Sequence, residues 1–272
     1  MAVTHPISAA APAAPTIPVC TITRQDLRKS LDDGLRDFGA MRGDLLFIGL
    51  LYPLIGVIAA VVSLGGSLIP LFFPIAAGIS LLGPLAAIGF YELARRREDG
   101  LESDWSHFLD VRKRPSFDAI MVVSGLLLVI FLAWVAVAAA LYAALMGNAP
   151  PTVGEFLTRV FTTPEGWTMI IVGNLIGLGF AIIVLAVSVV SLPMLVDRDL
   201  DAGTAVTTSI RAVKANKGLM MRWGITVAVL LVLGSIPLFI GLAFVLPWLG
   251  YSTWHLYTRL VDRKSIPISM PQ

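Results

Sequence analysis

Charged side chains are scarce in this chain: Asp, Glu, Lys and Arg make up 14% of its 272 residues, against 57% hydrophobic, whereas soluble domains carry about 25% charged residues. Water is therefore not its main solvent. Cysteine occurs once, as Cys20, which excludes an internal disulfide, a thiolate metal cage and a dithiol redox pair. Histidine occurs three times, as His5, His107 and His255, too few and too scattered for a histidine metal cluster or a pair of haem ligands. No lysine-bearing Gly-rich phosphate loop, serine elbow or HExxH helix is present. Asp197, Asp199 and Asp201 resemble the start of a calcium loop, but Ala202 and Thr208 stand where glycine and glutamate are needed. These acids instead suit the N-terminus of the helix that follows, through its dipole. No catalytic residue, metal site or cofactor is expected. The formal charge of +2, spread in clusters, speaks against nucleic acid as a partner.

The first 22 residues are rich in Ala, Pro and Thr and lack a basic start followed by an apolar core. This predicts a disordered cytoplasmic tail over 1–22 rather than a signal peptide. Beyond it, apolar runs of about 20 residues recur, each long enough to cross about 30 Å of hydrocarbon. They predict an all-α polytopic membrane domain over 23–264, followed by a short tail over 265–272. The six expected spans lie at about 45–64, 68–91, 120–145, 167–194, 219–235 and 237–258, with a bend at Pro193 in the fourth. The short amphipathic piece 153–161 is placed at the outer interface.

Basic residues near span ends stay on the cytoplasmic side. With six spans, every one of the 20 lysines and arginines except Arg159 falls on one side. Five or seven spans would destroy that segregation, so both termini are expected in the cytoplasm, with the protein in a bacterial inner membrane.

The spans group as three hairpins, each preceded by an amphipathic segment. In the first segment Leu27, Leu31, Leu35, Phe38 and Met41 recur at helical spacing; the second carries Trp105, Phe108 and Leu109. The third carries Val206, Ile210 and Val213, with Thr204 as its expected cap. Gly78 and Gly241 each precede a proline, Pro84 and Pro247, by the same interval, and each proline precedes an aromatic, Tyr91 and Trp254. A duplicated unit accounts for this order. Its amphipathic helices would lie in the headgroup plane, where basic residues meet anionic lipid.

Ionisable residues inside spans usually expose a transporter or membrane enzyme, and the spans hold almost none. Asn174, between Gly173 and Gly177, lies in a small-xxx-small pattern that predicts close helix packing with Asn174 as an interhelical hydrogen-bond donor. Glu92 and His255 sit at matching places just past Tyr91 and Trp254, where they either pair or contact headgroups. Pro84, Pro247, Gly173, Gly177, Asn174, Glu92 and His255 are thus candidate packing or interface positions.

The stretches SVVSLPMLVDRDLDAGTAVTTSIRAVKAN, LPWLGYSTWHLYTRLV and GPLAAIGFYELARRREDG resemble the prokaryotic membrane family known as domain of unknown function 2189, over roughly residues 27–261. The resemblance implies a multi-span inner-membrane protein without an established activity. Some members carry a label relating them to cytochrome c oxidase subunit I. This chain has too few histidines for the catalytic subunit, so any link would be that of an accessory or assembly partner. The expected function is non-enzymatic, through helix packing with a membrane partner, a second copy or lipid. The alternative is a transporter or channel for a neutral or apolar solute, a class that also uses broken helices and internal repeats.

Overall fold

The computed structural model describes residues 16–40, 74–75, 83–147, 152–237 and 240–266. The expected spans 45–64 and 68–91 lie largely outside the described residues, as do Met41, Gly78 and the tail beyond residue 266. What is described is all helical. In chain order the helices are α1 (Arg24–Ala40), α2 (Gly83–Ala86), α3 (Ile88–Glu98), a 3-10 helix (Trp105–Lys113), α4 (Phe117–Met146), α5 (Val153–Thr162), α6 (Pro164–Ser188), α7 (Ser191–Asp197), α8 (Ala202–Ala215), α9 (Lys217–Ser235) and α10 (Leu242–Leu260).

Three stretches among the described residues are long and apolar enough to cross a membrane. They are Phe117–Met146, Pro164–Asp197 and Lys217–Ser235, with mean hydropathies of 2.9, 2.8 and 1.7. Their outer faces expose Val122, Val129, Ile171, Leu175, Ile225 and Val232. A soluble monomer rarely exposes continuous apolar surface of this kind. The α10 helix is not among the three; most of its side chains are buried against protein.

The second stretch comprises α6 and α7, and the chain breaks between them at Val189–Val190. A proline ring clashes with the carbonyl four residues earlier, so Pro193 produces its break at Val189. The amide of Val190 is then satisfied from outside the helix, donating to Ser209 Oγ at 3.2 Å. Glycines close two other helices in the left-handed region: Gly100 after α3 and Gly147 after α4 both have φ of 70°.

Because α4 runs away from the residues around Arg114 and α6–α7 return to them, the molecule has a polar end and a far end. At the far end α5 covers a small cluster of Tyr142, Met146 and Val160. Arg159 there donates from Nη2 to Met146 O at 2.7 Å, capping the carbonyl end of α4. Thr152 and Thr163 cap α5 and α6 by accepting from Glu155 N and Gly166 N. At the polar end sits the main core, where Phe90, Leu93, Leu192, Met194, Trp254 and Tyr257 are fully buried.

Three sequence expectations are corrected here. The N-terminal stretch is ordered well before residue 22: Ile17 and Ile22 are buried, and Val19 pairs antiparallel with Val261. The cap of α8 is Asp201, which accepts from Thr204 N at 2.8 Å, while the Thr204 side chain is buried. The buried face of α8 is Thr204, Ala205, Thr208, Ser209 and Ala212. Small residues let this helix approach α6 and α7 closely, which leaves Val206, Ile210 and Val213 at its half-buried flanks.

Candidate functional site at the polar end

The amphipathic α1 docks on α10. Its inward residues are Leu27, Ser30, Gly34 and Phe38, at the spacing of one helix face, while Leu35 is exposed. Contact is closest at Gly34, where an added methyl would stand 2.5 Å from Ser252 N and 2.7 Å from its Cα. Only a glycine permits that approach. Two acids one turn apart on α1 meet two bases one turn apart on α10 in opposite order: Asp33 with Arg259 at 2.6 Å and Asp37 with His255 at 2.7 Å. The helices therefore run antiparallel. Asp37 also binds Arg97 of α3 at 2.9 Å. The Trp248 indole donates to Leu31 O at 2.9 Å.

Asp197, at the end of α7, is the centre of a second cluster. Its Oδ2 accepts from the Tyr257 hydroxyl and from Arg263 Nε, both at 2.8 Å, and its Oδ1 accepts from Arg263 Nη2 at 3.0 Å. The remaining Arg263 nitrogen donates to Glu98, whose other carboxylate oxygen accepts from the Trp254 indole at 2.9 Å. The guanidinium also lies 5.7 Å from the centre of the Trp254 ring, within cation–π range. Burial alone would weaken the Arg263 charge. Hydrogen bonds and charges from Asp197 and Glu98 outweigh that and hold the guanidinium above its ordinary range. From the other side, Arg114 donates to Asp197 O at 3.1 Å, and Ser116 Oγ donates to Leu195 O. One latch thus ties α3, α7, α10, the C-terminal turn and the entry to α4.

The N-terminal segment before α1 is a strap held by side chains from distant parts of the chain. Asn216 accepts from Ile22 N at 2.9 Å and donates to Cys20 O and Ala212 O, both at 3.0 Å. Cys20 N donates to Leu260 O at 2.8 Å, and Arg211 donates to Ile17 O.

The predicted packing positions fare unevenly. Gly173 and Gly177 do face α4: methyls added there would stand 3.5 Å from Leu141 and 3.1 Å from Trp134. Among the described residues Asn174 bonds to no other helix. It lies a third of a turn from that face, is exposed, and donates to Ile170 O of its own helix at 2.7 Å. Glu92 and His255 are not brought together. Glu92 is 1% exposed and takes a two-point pair from Arg95 of its own helix, at 2.6 and 3.1 Å, so it contacts no headgroup. Pro84 sits in α2, one turn before the break at Ala87, and Pro247 lies inside α10. Tyr91 and Trp254, the aromatics of the repeat, share one core, and α3 and α10 cross where Gly250 abuts Phe90. Of the three aspartates, Asp201 serves a helix N-terminus and Asp197 is taken by the latch.

The latch and the α1–α10 ladder escaped the sequence reading. A signal was present, since Asp33 and Asp37 match Arg259 and His255 in spacing and opposite sign. Among the described residues no group of three or more His, Cys, Asp or Glu side chains could hold a metal ion.

Residues 72–197 match the family described as a predicted integral membrane protein, domain of unknown function 2189. The motif around Pro84 and the start of the Ser188 motif fall inside this match; the stretch ending at Val261 lies outside it. No curated protein and no solved structure matches the chain.

Proposed function

We propose that this chain, an integral membrane protein by its family match and its apolar helices, works without catalysis, through the surfaces it offers to lipid and to a membrane partner or second copy. In this reading it has six spans in three hairpins, with α10 as the sixth, and sits in a bacterial inner membrane with both termini in the cytoplasm. A respiratory oxidase is the narrower candidate for the partner.

The observation that supports the reading is how the polar end uses its charges. Arg263 is bound to Asp197 and Glu98, Arg259 to Asp33, Arg95 to Glu92 and Asp99, and Arg97 to Asp37. Groups committed to one another in this way hold helices in place. They are poorly placed to act as acid, base or nucleophile, which must reach a reacting atom. The spans meanwhile present continuous apolar faces outward.

Affinity purification of the full chain from native membranes in mild detergent, with identification of bound protein and lipid, tests this. Stoichiometric recovery of a membrane protein, a second copy or lipid is the expected result. A monomer free of partner and lipid would overturn it. Labelling of Cys20 in closed vesicles tests the topology, because an impermeant maleimide should reach it only from the cytoplasmic side.

A further inference from the structure

At the polar end an open cavity of about 750 Å³ lies between the strap, through Pro18 and Cys20, and the C-terminal turn, with Arg198 and Lys264 on its walls. Its charges divide into committed and uncommitted groups. All three Arg263 nitrogens are engaged by Asp197 and Glu98. Arg259 is taken up by Asp33, Ser30 and His255 O. Of the lining acids, Glu98 accepts from Trp254 and Arg263 through both oxygens, and Asp262 accepts from the Lys264 amide through Oδ1.

Two cations remain. Arg198 touches Asp197 only through Nε, at 3.4 Å. That Nε is buried without a hydrogen bond, and no terminal nitrogen of Arg198 bonds to another described residue. Lys264 is exposed, and its ammonium has no partner among the described residues. A planar guanidinium whose terminal N–H groups bond to no described residue, lining a cavity with a second cation, is the donor set that a phosphate uses: the guanidinium gives two directed bonds and the ammonium a point charge.

We propose that this cavity binds a phosphate-bearing anion, with Arg198 and Lys264 as its ligands and the N-terminal strap as one wall. The phosphate could come from an anionic phospholipid headgroup or from a soluble phosphate. The site goes beyond the function proposed above, which rests on the apolar outer faces and assigns no anion pocket.

The test uses full-length protein in two arms. In the first, native mass spectrometry compares retention of phosphatidylglycerol with that of phosphatidylcholine. In the second, delipidated protein is titrated calorimetrically with inorganic phosphate. Each arm is repeated on K264Q and on R198Q/K264Q, with the thermal midpoint confirming that the variants fold. Selective retention of phosphatidylglycerol, weakened at least tenfold in the double variant and partly in K264Q, identifies a lipid headgroup. Saturable phosphate binding weakened in the same order identifies a soluble anion. Binding in neither arm, or binding that K264Q and R198Q/K264Q leave intact, would overturn the site. Because K264Q alters only an exposed side chain, it keeps the test decisive if the double variant fails to fold.

Discussion

Asp197 and Arg263 meet in a two-point pair, Nε to Oδ2 at 2.8 Å and Nη2 to Oδ1 at 3.0 Å, across 66 residues of sequence. Removing one member of a buried pair leaves the other charge uncompensated, at a cost of about 3 kcal/mol or more. Arg263→Ala should therefore lower the thermal midpoint in detergent substantially. Arg263→Lys should recover only part of the loss, since an ammonium cannot reproduce the two-point contact. An unchanged midpoint in Arg263→Ala would show the latch to be idle.

Glycine at position 34 decides how closely α1 seats on α10. Gly34→Val should destabilise by about 1–3 kcal/mol, the usual effect of overpacking, because its Cβ would meet the backbone of Ser252. Gly39→Ala, in the same helix with nothing within 4 Å of the added methyl, should be neutral or mildly stabilising. Equal effects from the two, read by chemical denaturation, would refute this account of the contact.

Acid should loosen the same contact. Burial pushes the Asp33 carboxyl upward, but the hydrogen bond and charge of Arg259, then the charges of His255 and Arg36, leave it below its ordinary 3.8. A depressed carboxylate contributes stability that is full above the unfolded value and fades as pH falls through the folded one. The difference in thermal midpoint between wild type and Asp33→Asn should stay constant from neutrality down to 3.8 and shrink below it. A difference that persists at still lower pH would contradict the assignment.

Asn216 makes two of the hydrogen bonds that hold the strap. Each is worth about 1 kcal/mol net, so Asn216→Ala should raise the alkylation rate of Cys20, the chain's single thiol, by about tenfold or more. The wild-type rate in the variant would mean that the Val19–Val261 pairing suffices alone.

In the span, Asn174→Leu should leave stability unchanged, because among the described residues the exposed amide bonds only its own helix. Gly177→Leu should separate α6 from α4 at Trp134 and lower the midpoint. A large effect of Asn174→Leu would restore a role between helices for that side chain.

Much of the membrane part could be read from sequence, because it depends on one-dimensional properties. Run length and hydropathy located Phe117–Met146, Pro164–Asp197 and Lys217–Ser235, and the helix-breaking action of Pro193 follows from its chemistry. The Gly173–Gly177 face was likewise visible from spacing. The polar end was not, because its contacts join residues about 60 to 220 positions apart, such as Tyr257 with Asp197 and Trp248 with Leu31. Periodicity misled in α8, where the valines and isoleucine marked the helix flank and the small polar residues faced inward. In the same way, Glu92 and His255 were matched by their place in a repeat, whereas their partners lie elsewhere: Arg95 one turn along for Glu92, and Asp37, 218 positions away across the α1–α10 contact, for His255.

The pairing of Val19 with Val261 sets an order of assembly. A nascent chain grows from its N-terminal side, so the strap is made before its partner at Val261 and before the Leu260 carbonyl that receives the Cys20 amide. The strap must wait until the chain has been made as far as Val261 before its place exists. Closure of the polar end thus follows synthesis of α10, and a chain truncated before Leu260 would lack the partners of Cys20 and Val19.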